Sequence, residues 1–528
     1  MRLRPVVLTP LAVLAAVTGV AGAAAQSPSR DWRPEDRTII GDFSRITALA
    51  AAIDRVYVAS PAAVLVWNPQ FREWQGPYDP PDPALLADVT GALVDPLDNS
   101  LWLARTSGWA HFQFELRSWD HGEVGDGVQS IAFDGNDPAQ GLFLRTRRGW
   151  LLLPRGGLVA LPGRVPARPV TPARPDDVVR ANPTLQTNAS QILLDPRLRQ
   201  ARFTAAARSG DNLGWYLGTS GVGLMFLRDG SALPDRMPYG LAGSVVGAVF
   251  GWPDGLWAAT SRTVQSEPAV TFVERELKDF RSLQGPPAFG LPFTQVRRLA
   301  GQGSALWAAT DRGLARIASG DGQVDLVDEG RGLPDSRVYA VASRQGRITA
   351  GTRRGVVRVD DSLRVERVAP RFADPVLAVF PTGDSVWLGT QRGLLLALPG
   401  QDDVVRPAAL GSASLQAPVV ALAALGDTVV GLTRDQMLWR DPRSQAWTLG
   451  PNLSGVLGGL VAFAADGAGF WVAGDRGVGF ARLATPPVLP LRQGDLPGPV
   501  NDIAVDGEYL WVATSAGLVR FRLDAVRP

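Results

Sequence analysis

Leu510-Trp511-Val512-Ala513-Thr514-Ser515-Ala516-Gly517-Leu518 is one copy of a motif that returns along almost the whole of this chain. A chain of repeats builds one supersecondary unit many times over, so the motif constrains the fold more than any other feature. Residues 306–314, 386–394 and 470–478 are its closest copies. Aligned on the threonine, the copies fall at Ser60, Thr106, Thr146, Thr219, Thr260, Thr310, Thr352, Thr390, Thr433, Gly474 and Thr514. Shortly before these stand Tyr57, Trp102, Phe143, Tyr216, Trp257, Trp307, Thr349, Trp387, Val430, Trp471 and Trp511. Nine of these eleven are aromatic in a chain that is 8% aromatic, which chance does not supply.

Within the last copy, residues 500–505, 510–514 and 518–523 read as three strands, with a turn at Asp506-Gly507-Glu508. The copies lie 38 to 50 residues apart, except for one interval of 73. That period is the one expected of a four-stranded propeller blade. The pattern therefore predicts an all-β β-propeller with about eleven four-stranded blades over residues 37–528. Residues 162–200 form an insertion between the third and fourth blades, and its run of Pro and Arg over 162–180 argues against any regular strand or helix there. Trp102, Trp257, Trp307, Trp387, Trp471 and Trp511 are expected to wedge between blades. Thr310, Thr352, Thr390 and Thr514 mark structural positions of the repeat, and the Gly three residues later suits a hairpin that needs positive φ. The last copy has only three strands, and residues 37–40 form an orphan strand before the first. Pairing these two would close one large ring, with two rings as the alternative.

The formal net charge is +2, and Lys278 is the single lysine among 53 basic residues, so nucleic acid is not the expected partner. Residues 1–25 carry a basic start, an apolar run and a small-residue cleavage signal. They predict export to the periplasm or the medium. No later stretch has the apolar length of a membrane helix. The chain has no Cys, so disulfides do not hold the fold.

Gly332-Leu333-Pro334-Asp335-Ser336-Arg337-Val338 leads to Gly351-Thr352-Arg353-Arg354-Gly355-Val356, while Asp495-Leu496-Pro497 and Gly290-Leu291-Pro292 open two further units. These residues resemble the two-component regulator propeller repeat, over most of residues 40–525. The resemblance implies an exported propeller of the kind found as the periplasmic sensor part of membrane histidine kinases, often reading carbohydrates. Similar propellers occur in accessory proteins of bacterial secretion systems. Because the pattern ends at Pro528 without a kinase or connector, signalling by this chain alone is not expected.

His111 and His121 are the only histidines, and no Cys or His cluster completes a metal or nucleophilic site around them. No cofactor is expected. The turns Asp95-Pro96-Leu97-Asp98-Asn99 and Asp134-Gly135-Asn136-Asp137 lack the spacing of a calcium loop, and Asp and Asn are ordinary turn residues. The sharper set is Arg148, Arg312, Arg354, Arg392 and Arg476, each just before the hairpin Gly. Equivalent hairpins project from one face of a propeller, so these guanidinium groups are expected to form a partial rim for a carboxylated or phosphorylated ligand. The reading is a non-enzymatic exported propeller binding a glycan or protein on one face. Alternatives are a polysaccharide lyase or hydrolase using Asp, Glu, Tyr and Arg, and a component of envelope or secretion assembly.

Overall fold

The computed structural model describes residues 32–528 except 196, 265, 286–289, 321, 408–415, 468 and 484–486. The export signal expected over residues 1–25 lies outside the described residues. The described chain folds into eleven antiparallel sheets of four strands, the third with an additional short strand. In chain order they cover residues 48–78, 89–123, 130–162, 203–237, 246–283, 296–327, 338–368, 376–405, 419–452, 460–492 and 500–522. The second strands, such as Gly255–Thr260, Ala305–Thr310 and Gly469–Gly474, are buried along their whole length. Both faces of such a strand meet neighbouring sheets, so the period of two gives way to a continuous run of small and apolar residues. Charges collect on fourth strands such as Val365–Val368, where Glu366 and Arg367 are exposed.

A bulge recurs near the start of the first strand. Val296 faces Thr310, yet Arg298 already faces Ala309, and the same shift accompanies Val338 with Thr352, Val376 with Thr390, and Val500 with Thr514. Bulges sharpen strand twist, which helps sheets to fan about a common axis. The threonine hydroxyl does a separate job. Thr310 Oγ1 donates to Gly313 O at 2.6 Å and accepts from Arg312 N at 3.1 Å, tying the hairpin from inside. Thr352, Thr390 and Thr514 repeat both bonds. All four threonines are buried. Thr310→Val keeps the shape and removes both bonds, so it is expected to cost about 1–2 kcal/mol. A lower unfolding midpoint in a thermal scan checks this.

The second sheet departs from the threonine alignment by one residue. Val89 pairs with Arg105, which takes the anchor position, and Thr106 moves onto the turn. A buried guanidinium needs partners. Asp88 and Glu123 supply them at 3.0 and 3.1 Å, and Asp88 also accepts from Thr106 Oγ1 at 2.8 Å.

The sheets do not follow one another as the single ring of eleven expected from the sequence. The first strand of the eleventh sheet, Val500–Val505, packs against that of the fifth, Val246–Trp252. Asn501 Nδ2 donates to Val246 O at 2.8 Å, and Val249 N donates to Asp502 Oδ2 at 3.1 Å. First strands then adjoin in order from the fifth sheet through the eleventh, so seven sheets succeed one another and the last meets the first. The fourth, first, second and third sheets form a separate succession in that order. The physical reason lies in contacts between copies distant in sequence: Asn501 with Val246 and Asp502 with Val249 bring the eleventh sheet onto the fifth and leave the first four sheets outside the succession.

Strand Arg37–Ile40 pairs with Gly517–Arg522, setting Arg37 opposite Phe521 and Ile40 opposite Leu518, and so supplies the outer strand of the eleventh sheet. Immediately afterwards the chain leaves this unit. Leu241 N donates to Gly41 O at 2.9 Å, and Asp42 bridges Gly240. The four-sheet unit is therefore an insertion whose two ends lie side by side. Tyr239 seals the junction, its hydroxyl donating to Gly76 O at 2.9 Å and its ring lying 4.9 Å from Trp74 and 4.5 Å from Phe280. Burial pushes its phenol far above the ordinary range.

The segment after the third sheet contains two helices, Pro175–Ala181 and Pro183–Ile192, where no regular element was expected before residue 180. Each begins on its proline, where the missing N–H and fixed φ are no handicap. Asn182 caps the second helix by accepting from Leu185 N at 3.0 Å. Val178 and Leu185 pack against Ala206, Leu217 and Leu227 of the fourth sheet. Val170 pairs with Phe133 of the third sheet and Ala173 bridges Ala206, so the segment links these two sheets.

Candidate functional site

The five arginines singled out in the sequence all stand exposed at hairpin tips. Arg312, Arg354 and Arg392 lie on the consecutively packed sixth, seventh and eighth sheets, and Arg476 on the tenth. Arg148 belongs to the other unit, on the third sheet. Each hairpin meets the segment that enters its own sheet. Arg392 pairs with Asp374 at 3.1 Å, Arg148 with Asp126 at 3.3 Å and Arg354 with Asp335 at 3.9 Å. Arg476 Nη1 donates to Gly455 O at 2.8 Å. Exposed pairs of this kind contribute little, so the guanidinium groups are held ready and not locked away.

A charge pair joins sheets of the seven-sheet succession that are not adjacent in it. Arg298, on the first strand of the sixth sheet, reaches Asp502 of the eleventh at 3.5 Å and donates to Val461 O of the tenth at 3.5 Å. Neither sheet neighbours the sixth. Burial pushes the Asp502 carboxyl up, against the pull of Arg298 and of the backbone N–H groups of Val249 and Ile503.

His111 lies between the second and third sheets, beside a pocket of about 170 Å³ that also includes Asp95, Asp98, Asp120 and Arg155. Its ring stacks on Trp102, the residue opposite it, at 3.9 Å and 13°. Its Nε2 is 2.7 Å from Ser100 Oγ. Burial lowers its pKa, and the nearby Asp98, Asp120 and Asp95 oppose that only in part. Arg155 Nη2 grips both oxygens of Asp95, at 2.7 and 2.9 Å. Burial would raise Asp98, but Ser100, His111 and Arg155 hold it below the ordinary carboxylate range. The tertiary structure thus gathers His111 with the turn carboxylates Asp95 and Asp98. His121 pairs with Ala110, one position along, and so turns to the other face of the sheet. The other turn serves the fold: Asp134 accepts from Asn136 N, Ala167 N and Arg168 N and anchors the linking segment.

No family model matches this chain, and no curated protein matches it. Solved structures do. One is PorZ, a surface component of the type-IX secretion system of Porphyromonas gingivalis, with 12% identity over 91% of this chain and 69% of that one and a TM-score of 0.44. Another is the extracellular domain described for a hybrid two-component system of B. thetaiotaomicron, with 15% identity over 89% of this chain and a TM-score of 0.43. The chain spans 60% of the length of that domain. Among the described residues no helix is long and apolar enough to cross a membrane.

Three features escaped the sequence reading. Arg298 and Asp502 were findable as the two charged residues at a first-strand position that is Ala in the other five sheets of the succession. Arg105 was hidden by the neighbouring Thr106. Thr349, noted only as a missing aromatic, borders an arginine-lined cavity described below.

Proposed function

We infer that this chain is an exported β-propeller of seven blades, carrying an inserted four-blade unit, and that it binds an acidic glycan or protein without transforming it. The observation that carries the reading is the placement of Arg312, Arg354 and Arg392 at equivalent exposed tips of three consecutively packed sheets. A row of planar guanidinium groups on one face suits bidentate contacts to carboxylates or sulfates spaced along a polymer. Arg155 holds both oxygens of Asp95 in the His111 pocket, which favours binding over catalysis there.

The test is an array of acidic and neutral glycans probed with the mature chain, residues 26–528, beside the triple variant R312Q/R354Q/R392Q. The variant is expected to lose roughly ten-fold or more in affinity for the polyanions that the parent retains, with the parent's binding weakening as salt rises. Equal retention by both proteins would remove the hairpin face from consideration.

A further inference from the structure

The contact between the seventh and eighth sheets lacks the indole that fills its neighbours. Trp307 lies between the sixth and seventh sheets among Val338, Ile348 and Val357. Trp387 meets Trp447 of the ninth sheet edge-on at 5.1 Å. The second strand of the seventh sheet, Arg347–Thr352, carries Thr349 at the equivalent position. The fully buried residues between the seventh and eighth sheets are all aliphatic, and a cavity of about 200 Å³ opens beside Thr349.

Arg344, Arg347 and Arg358 line this cavity, the first two flanking a hairpin turn of the seventh sheet. Their charge is poorly balanced. Asp384 is the one carboxylate in the lining, 3.9 Å from Arg347 and 75% exposed. Arg358 donates to the main-chain oxygen of Asp384, and Arg344 lies over the Phe380 ring at 5.6 Å. Thr349 is 1% exposed. Its hydroxyl borders the cavity.

We propose that this cavity binds a single oxyanion group, the phosphate, sulfate or carboxylate end of a small acidic ligand, held by Arg344, Arg347 and Arg358 with the Thr349 hydroxyl donating to it. Three guanidinium forks around one small space match the several lone pairs of such a group. The cavity sits at the end of the sheets that carries the first-to-second turns. Arg354 and Arg392 occupy the second-to-third turns at the opposite end, so the two sites are separate.

The experiment titrates the mature chain with sodium phosphate, sodium sulfate and sodium glucuronate, each against chloride at equal ionic strength, by calorimetry and thermal unfolding. Saturable binding of at least one probe is expected, and the preferred probe identifies the oxyanion. Thr349→Trp restores the residue of the sister copies and fills the cavity, so it is expected to weaken that binding roughly ten-fold or more without lowering the unfolding midpoint. R344Q/R358Q is expected to lose the binding while its fold persists, and it carries the test alone should the tryptophan variant fail to fold. R312Q/R354Q/R392Q is expected to bind as the parent does, which separates this site from the hairpin face. Absence of saturation by all three probes, or undiminished binding by Thr349→Trp, overturns the proposal.

Discussion

Removal of residues 32–40 is expected to unfold the seven-sheet unit at ambient temperature, although it takes away only a short stretch at one edge. Two buried anchors go with it. Ile40 is fully buried against Leu241, Leu256, Trp511 and Leu518, and Trp32 is buried against Phe521 at 5.4 Å. Large-to-small changes at such positions cost about 2–5 kcal/mol each, and the deletion also bares the backbone edge of Gly517–Arg522. Since domains are stable by only about 5–15 kcal/mol, the loss takes most of the margin. Circular dichroism and sedimentation would show lost sheet signal and aggregation through the open edge. A far larger change should do less harm. Replacing residues 43–238 by a short Gly/Ser linker is expected to leave the seven sheets folded, because Gly41 and Leu241 already touch. If the small deletion is harmless and the large one fatal, the assignment of the strand as a structural keystone is wrong.

Arg298→Leu is expected to cost about 3–5 kcal/mol near neutral pH, because it leaves the buried Asp502 carboxylate without its cation. The pH dependence follows from the direction of the Asp502 shift. Its folded pKa lies above its unfolded value, so the folded state holds the proton over the interval between them, and ionisation counts against folding. The stability associated with the neutral carboxyl is present below about pH 4, the unfolded value, and is lost as pH rises through the folded pKa. Without Arg298 that interval widens upward. The deficit of the variant against the parent should therefore be small at pH 4 and grow towards pH 7.5, measured by urea denaturation at both. Arg298→Leu with Asp502→Leu should recover most of the loss, since apolar residues can replace a buried pair. An equal deficit at the two pH values would mean that packing, and not charge, accounts for the effect.

Much of the local structure was legible in the residues. The motif around Trp511, Thr514 and Gly517 specifies two strands and the turn between them through neighbours in sequence. Its repetition then counts eleven sheets, and the unpaired strand at residues 37–40 foretold its union with the last one. The single-residue slip at Arg105 shows the limit even at this scale. A threonine next to the anchor imitates it in sequence, and only strand pairing reveals which residue faces Val89. The helices after Pro175 and Pro183 were missed because proline was weighed as a breaker and not as a first helical residue.

What the sequence by itself determined is the unit: its strands, its turns and the number of times it is made, since all of these depend on residues within one copy. The tertiary structure alone decided how the copies divide into seven and four, that Arg298 meets Asp502 of a sheet not adjacent to its own, and that His111 joins Asp95 and Asp98. Contacts such as Asn501 with Val246 join residues more than two hundred positions apart. Every sheet offers its neighbours much the same apolar faces, so which sheet meets which is settled by contacts between distant copies, and these are written in no single repeat.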